Sequence, residues 1–211
     1  MLNINSLQKS FNGQLILNNL ALKVQPGEII GIMGENGAGK TTLLKTIAGL
    51  QKPERGTGSI DELELFTSNP EVRKKILYWG HSPDLYGQFT AFENINFFLE
   101  LRQEKADEVT VTDCLKKFDL NNSKQKSVSA FSAGMVQRLH LCMAELCSWS
   151  LGLFDEPLNA LDETGVNHLK RLINTYREQN RSILITSHHA KFLQSVSDKI
   201  LTINKKGLQE N

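Results

Sequence analysis

The stretch GENGAGKTT, residues 34–42, decides the fold because it fits the pattern G-x-x-x-x-G-K-[ST] in full. Residues 28–33 before it predict a short buried strand, and residues 42–49 predict a helix that ends at a glycine. In this order of elements, backbone N–H groups and the positive end of the helix face a polyphosphate. The pattern predicts that Lys40 reaches the β- and γ-phosphate oxygens and that Thr41 ligates Mg²⁺. The residues predicted to surround the phosphates are Gly34, Asn36, Gly37, Ala38, Gly39, Lys40, Thr41 and Thr42.

The composition is that of one globular domain, because 211 residues with 40% hydrophobic side chains can bury one α/β core. The formal net charge of +1 gives no overall attraction to nucleic acid, so we expect no nucleic-acid partner. No run approaches the roughly 18 to 20 apolar residues that span a bilayer, and the first residues lack the pattern of an export signal. Cys114, Cys142 and Cys147 have no C-x-x-C spacing, which favours buried reduced thiols and a cytoplasmic location.

The order of predicted elements indicates an α/β fold with three parts. Residues 15–24 alternate apolar and polar side chains, which is typical of antiparallel strands. Residues 51–58 are rich in turn formers and predict a loop, and the apolar period becomes helical over about 90–118. Strands and helices then alternate in the last third of the chain. We therefore expect a single domain over 1–211 with a parallel core sheet, an N-terminal antiparallel β-subdomain and an inserted α-helical subdomain at about 84–150.

Two adjacent acids, Asp155 and Glu156, follow the apolar run of residues 151–154. Open parallel sheets bind their ligands at the carboxyl ends of the strands. Asp155 can orient Mg²⁺, directly or through water, and Glu156 can polarise a water molecule that attacks a γ-phosphate. Two acids at the end of a strand are often only a solvated turn. A complete phosphate-binding loop in the same chain favours the catalytic interpretation.

Residues 131–139, FSAGMVQRL, stand just before a predicted helix. This segment resembles the signature L-S-G-G-Q of the ATP-binding-cassette (ABC) ATPases, which Ser132, Gly134 and Arg138 match. A serine at a helix N-terminus offers a hydroxyl and free N–H groups to an anion, although a plain helix cap has the same sequence. The resemblance implies a P-loop NTPase fold of the ABC ATPase type. It also implies ATP hydrolysis with Mg²⁺ in a head-to-tail dimer. In such a dimer two copies enclose two ATP molecules, and each copy supplies its signature helix to the nucleotide held by the other.

The resemblance extends from Phe11 to the last strand and implies roles for further residues. Phe11 matches the aromatic side chain that stacks on adenine, although an ordinary core phenylalanine is the alternative. Asp162 belongs to residues 159–162, which match the loop that contacts the partner subunit in this family. His188 matches the histidine that touches the γ-phosphate and is favoured over its neighbour His189. The implied catalytic residues are Glu156, His188 and Lys40, and the implied nucleotide contacts outside the phosphate-binding loop are Phe11, His81, Ser132, Gly134 and Asp162.

His81 stands where most ABC ATPases have a glutamine near Mg²⁺ and water. Together with residues 77–83 and the pair Glu93-Asn94, it resembles the ATP-binding subunits of the haem exporters of cytochrome c biogenesis. His81 acts either in hydrolysis or only in coupling to a membrane subunit, and both roles stay open. The resemblance implies an integral membrane permease as partner and a peripheral position on the inner face of the cell membrane. The alternatives are the ATPase of another small-substrate exporter, a soluble ABC ATPase or a small-molecule kinase.

Overall fold

The computed structural model describes residues 1–80, 85–159, 161–204 and 207–210. The chain divides into two compact units. The first unit comprises Met1–Gly80, Trp149–Pro157 and Lys170–Asn211, and the second comprises His81–Ser148 and Leu158–Leu169.

The strands are β1 (Leu2–Phe11), β2 (Gln14–Val24), β3 (Ile29–Met33), β4 (Arg55–Ile60), β5 (Leu63–Glu64), β6 (Ile76–Trp79), β7 (Leu151–Asp155), β8 (Ser182–Thr186), β9 (Lys199–Asn204) and β10 (Gly207–Glu210). The helices are α1 (Lys40–Ile47), α2 (Pro70–Lys75), α3 (Ala91–Leu101), α4 (Glu108–Lys117), α5 (Ala133–Leu146), α6 (Glu163–Glu178) and α7 (Ala190–Val196). Short 3₁₀ turns occur at Asn121–Ser123 and Val128–Ala130.

The first unit contains a four-stranded antiparallel sheet in the order β2-β1-β4-β5, as the alternating pattern predicted. The loop predicted for residues 51–58 is wrong in its second half, because β4 begins at Arg55 and pairs with β1. A Cβ on Gly56 would lie 2.7 Å from the Cα of Leu7, so the glycine is required by the close approach of the two backbones. In the sequence alone, Gly56 favoured a loop because the pairing of β4 with β1 is not visible in the local sequence.

The second sheet of the first unit has six strands in the order β10-β9-β3-β8-β7-β6. All its pairings are parallel except that of β10 with β9. Every residue of β7 and β8 is buried, which explains why these strands are continuous apolar runs rather than alternating ones. Asp155 pairs with Thr186 and Ile32 pairs with Thr186, so the ends of β3, β7 and β8 meet at one edge of the sheet.

The second unit is helical and contains α3, α4 and α5. The helical pattern over about 90–118 is interrupted after Leu101, and α4 begins only after Asp107. Thr90 and Glu93 form a capping box at the start of α3, and the side chain of Asp107 accepts a hydrogen bond from the N–H of Thr110. These caps explain where the two helices begin.

The cysteines are free and buried, as predicted. The Sγ atoms of Cys114 on α4 and Cys142 on α5 lie 2.8 Å apart in the second unit. The hydrogen bond with Cys114 and burial both raise the pKa of Cys142, which keeps the thiol protonated.

Among the described residues, none of the helices has the length and apolar character of a membrane span. The same residues contain no cluster of three or more potential metal ligands.

Candidate functional site

The phosphate-binding loop joins the end of β3 to α1, as predicted from the sequence. Gly34, Gly37 and Gly39 all have positive φ angles, of 156°, 81° and 105°. A Cβ on Gly34 would stand 2.7 Å from the carbonyl oxygen of Ile203, so only glycine fits at that position. The first turn of α1 contains no acidic residue that would neutralise the positive N-terminal end of the helix. This end is therefore available to an anion.

Lys40 holds its ammonium group inside this loop. Its side chain is buried, and Nζ donates to the carbonyl oxygen of Gly34 at 2.7 Å and to that of Glu35 at 3.3 Å. Backbone carbonyls neutralise an ammonium group only in part, so a positive charge remains at the centre of the loop. This charge and the N–H groups of the loop form a site for a polyphosphate.

A cavity of about 820 Å³ opens beside the phosphate-binding loop in the first unit. Its size lies within the range of about 300–1,000 Å³ that is usual for small-molecule sites. Its walls are formed by Gln14, Leu15, Ile16, Met33, Gly34, Glu35, Asn36, Gly37, Ala38, Ser187, His188, Thr202, Ile203, Asn204 and Gln209. The structure thus brings His188 to the same cavity as Asn36, Gly37 and Ala38.

Phe11 is not among the residues that form the cavity wall. Its strand partner Gln14 does belong to the cavity wall. The side chain of Phe11 is 42% exposed. The Nζ atom of Lys9 lies 5.2 Å from the centre of its ring. This exposure is incompatible with the alternative that Phe11 is an ordinary core residue, and it leaves the ring accessible for stacking.

The acidic pair stands at the end of β7. Asp155 is 1% exposed, and its Oδ1 accepts a hydrogen bond of 2.9 Å from the hydroxyl of Thr186. The hydroxyl of Tyr78 contacts its Oδ2 at the long distance of 3.5 Å. Glu156 has a φ of 52°, in the left-handed region, and its N–H donates to Oγ1 of Thr186 at 2.9 Å. Both acids are therefore held by hydroxyl groups from neighbouring strands.

Glu156 and His188 contact each other directly. Oε2 of Glu156 accepts a hydrogen bond of 3.2 Å from the backbone N–H of His188, and Oε1 lies 3.1 Å from Nε2 of the imidazole ring. The ring of His188 is half exposed, whereas the glutamate side chain is 12% exposed. A carboxylate and an imidazole thus face each other beside the cavity. Together they can take a proton from a water molecule and contact a phosphate oxygen.

Ser132, Gly134 and Asp162 belong to the second unit. Ser132 caps α5, since its Oγ accepts a hydrogen bond of 3.3 Å from the N–H of Met135. Ser132 is exposed and Gly134 is half-buried. Oδ1 of Asp162 accepts a hydrogen bond of 2.7 Å from the N–H of Gly165 at the start of α6. His81 lies outside the described residues.

Exposure also differs between the two threonines that follow Lys40. Thr41 is exposed and Thr42 is half-buried at the start of α1.

Two residues that contact Asp155, Thr186 and Tyr78, were not predicted to belong to the site. Thr186 had a detectable signal, because it is a hydroxyl residue at the carboxyl end of a predicted strand and directly precedes Ser187 and His188. The contact of Tyr78 depends on the pairing of β6 with β7 and has no comparable signal.

A phosphate-binding loop after a central parallel strand, with acids at the end of a nearby strand, defines a P-loop nucleotide hydrolase. The model of the ABC transporter family matches residues 17–159, which is more than half of the chain. The chain therefore belongs to the ABC transporter family, and it is an ATPase that binds and hydrolyses ATP.

Curated relatives cover most of the chain. The ABC transporter ATP-binding protein NatA of Bacillus subtilis is 32% identical over 89% of this chain and 78% of that protein. The cytochrome c biogenesis ATP-binding export protein CcmA of Vibrio cholerae is 30% identical over 91% of this chain and 93% of that protein. The lantibiotic transport ATP-binding protein SrtF of Streptococcus pyogenes is 31% identical over 95% of this chain and 85% of that protein.

Solved structures show the same fold. The ATP-binding subunit of an ABC transporter superposes with a TM-score of 0.91 at 25% identity, covering 100% of this chain and 89% of that one. The ATP-binding cassette MJ0796, solved as a dimer in a post-hydrolysis state with ADP and Pi, gives a TM-score of 0.89 at 23% identity. That comparison covers 100% of this chain and 98% of that chain. The predicted α/β fold, with an antiparallel sheet, a parallel-rich sheet and helices, is confirmed.

Proposed function

We propose that this chain is the motor subunit of a membrane transporter, in which Glu156 is the general base for ATP hydrolysis. The observation that carries the proposal is the contact of Glu156 with His188 beside the cavity of the phosphate-binding loop. The N–H of His188 holds one carboxylate oxygen of Glu156, so the side chain has a defined direction. A carboxylate in this position accepts a proton from the water that attacks the γ-phosphate.

The other residues of the site act on the phosphates. Lys40 exchanges its contacts with the loop carbonyls for the β- and γ-phosphate oxygens, and N–H groups of residues 34–42 bind the remaining oxygens. The ring of His188 contacts the γ-phosphate. Asn36, Gly37 and Ala38, which line the cavity, contact the phosphates, as does Thr42 in the first turn of α1. The exposed ring of Phe11 stacks on adenine.

Asp155 and Thr41 suit a magnesium ion. Asp155 is almost completely buried, and in the part of the chain that the structure describes it has hydroxyl partners but no ion pair with a basic side chain. Buried carboxylates normally pair with a cation, and oxygen ligands are the ones that Mg²⁺ prefers. Asp155 and the hydroxyl of Thr41 would hold the ion, which would neutralise charge on the β- and γ-phosphates.

The proposal includes two partners. The exposed N-cap Ser132, with Gly134 at the start of α5, offers hydroxyl and N–H groups to the nucleotide of a second copy, and Asp162 lies in the loop that meets that copy. Two copies then close on two ATP molecules and reopen after hydrolysis. An integral membrane permease supplies the transport pathway, and the motor lies against it on the cytoplasmic face of the membrane. His81 and the helical insert at about 84–150 transmit the movement within the single ABC domain.

We propose further that the transporter is the haem exporter complex of cytochrome c biogenesis. Relatives named CcmA match at 30–33% identity and have nearly the same length, since the alignments cover 86–95% of those proteins. The segment around Gly80-His81 and the variant signature Ser132-Ala133-Gly134 favour the same subgroup. NatA and SrtF have similar identities and support the alternative of another small-substrate exporter. A soluble ABC ATPase without a permease is the weaker alternative.

The substitution Glu156→Gln tests the chemistry. The amide has the same shape but accepts no proton, so ATP binding stays within about threefold of wild type while hydrolysis falls by about a hundredfold or more. The exposed Glu178→Gln is the matched control and keeps full turnover. Affinity is measured with a fluorescent ATP analogue, turnover by phosphate release, and dimerisation by size-exclusion chromatography with ATP. Turnover of Glu156→Gln within a few-fold of wild type would exclude Glu156 as the base.

Purification from membranes tests the transport role. A tagged chain retains an integral membrane subunit in mild detergent if it is a transporter motor, and it is recovered alone if it is a soluble ATPase. The haem-exporter assignment predicts that cells lacking the chain lose mature c-type cytochromes. Wild-type protein restores them and Glu156→Gln does not. Normal cytochromes in such cells would instead support another exporter.

A further inference from the structure

Thr186 is the last residue of β8, and its side chain is completely buried. Its hydroxyl donates to Oδ1 of Asp155 at 2.9 Å and accepts a hydrogen bond of the same length from the N–H of Glu156. One hydroxyl therefore contacts both members of the acidic pair. We propose that Thr186 is a positioning residue for ATP hydrolysis, which holds Asp155 and Glu156 in their working geometry.

The backbone of Glu156 needs such a partner. Its φ of 52° lies in the left-handed region, which a residue with a Cβ seldom occupies unless its surroundings hold it there. The backbone fixes the direction of the Cα–Cβ bond and so limits the positions that the carboxylate can reach. The hydrogen bond from the N–H of Glu156 to Thr186 therefore helps to place the carboxylate where it meets His188.

A hydroxyl group is the chemical group that this position requires. The carboxylate of Asp155 only accepts hydrogen bonds, and the N–H of Glu156 only donates. Between them, a group must donate to one and accept from the other, which a hydroxyl does and a hydrocarbon of the same shape does not. The hydroxyl of Tyr78 reaches only the other oxygen of Asp155, at 3.5 Å, so it does not replace Thr186.

The substitution Thr186→Val keeps the shape of the side chain and removes both hydrogen bonds. The inference rests on the proposed role of Glu156 as the base. We expect kcat to fall about 10- to 100-fold, the range known for residues that orient functional groups, with KM for ATP within about threefold of wild type. Thr186→Ser keeps the hydroxyl and retains kcat within about threefold.

Ser182 provides the matched control on the same strand. It is also completely buried, and its Oγ donates to the carbonyl oxygen of Gln25 at 2.7 Å, at the opposite end of β8. Ser182→Ala removes a buried hydrogen bond and lowers the melting temperature without contact with the acids. If a loss of stability were the only cause of a lower turnover, the two variants would have the same kcat when compared at the same loss of stability. The two variants are Ser182→Ala and Thr186→Val. We expect only Thr186→Val to have a reduced kcat.

Amide hydrogen exchange measured by NMR gives a readout that does not depend on activity. The N–H of Glu156 is protected in wild type, Thr186→Ser and Ser182→Ala, and it exchanges at least tenfold faster in Thr186→Val. Unchanged kcat or unchanged exchange at Glu156 in Thr186→Val would overturn the inference. These failures are distinct from failure of the proposed function, which is shown by an active Glu156→Gln.

Discussion

His140 on α5 is predicted to make the protein sensitive to acid. Its Nδ1 has no contact with solvent, and burial lowers the pKa of the imidazole from 6.5 to about 4. A hydrogen bond with the backbone of Val136 favours the charged form and opposes this shift, but burial prevails. The folded protein therefore keeps His140 neutral at a pH at which the unfolded chain already binds a proton.

The sign and size of the effect follow from this difference. Because the pKa is lower in the folded state, the contribution of His140 to stability is complete above pH 6.5 and is lost as the pH falls towards 4. Each pH unit in that interval costs about 1.4 kcal/mol. At pH 5 the free energy of unfolding is therefore lower by about 2 kcal/mol because of His140 alone.

Urea denaturation between pH 7.5 and pH 4.5 measures this loss. Between pH 7.5 and pH 5, the free energy of unfolding of His140→Gln decreases by about 2 kcal/mol less than that of wild type. The exposed His189→Gln controls for the removal of a histidine as such and keeps the wild-type dependence. If wild type and His140→Gln lose the same free energy between these pH values, the assignment of a neutral His140 in the folded protein is refuted.

Four further substitutions test the phosphate-binding loop and the signature. Lys40→Ala removes the positive charge of the loop, so nucleotide binding weakens and phosphate release stops. Ser132→Arg leaves ATP affinity of the monomer intact but prevents the ATP-dependent dimer seen by size-exclusion chromatography; equal loss of affinity in both variants would contradict this role. Gly34→Ala places a Cβ 2.7 Å from the Ile203 carbonyl and lowers the melting temperature more than Gly37→Ala, whose Cβ meets no atom within 4 Å. Equal melting temperatures would contradict the steric argument.

The sequence predicted those parts of the molecule that depend on local pattern. The phosphate-binding loop follows β3 and precedes α1 as expected, and the apolar run before Asp155 is a buried strand. Helix α2 was missed, although Asn69 before Pro70 is a capping signal, because the helix has only six residues and little apolar periodicity. Strand β4 was missed because its pairing partner is some fifty residues earlier in the chain.

The candidate site shows the same division between local and distant information. The acidic pair was recognised because its two residues are adjacent and follow a strand. The hydroxyl of Thr186 reaches them only through the register that pairs β7 with β8, and Thr186 lies 31 positions from Asp155. Register between distant strands depends on the packing of both sheet faces, which no local window of sequence contains.

The contacts of Lys40 with the carbonyl oxygens of Gly34 and Glu35 bear on the thermodynamics of nucleotide capture. The ammonium group is already withdrawn from water and confined by its own loop, so most of its rotational entropy has been lost before a ligand arrives. Phosphate oxygens then replace carbonyl oxygens in an exchange of hydrogen bonds. The ordering of this long side chain therefore reduces the free energy gained on binding ATP only slightly.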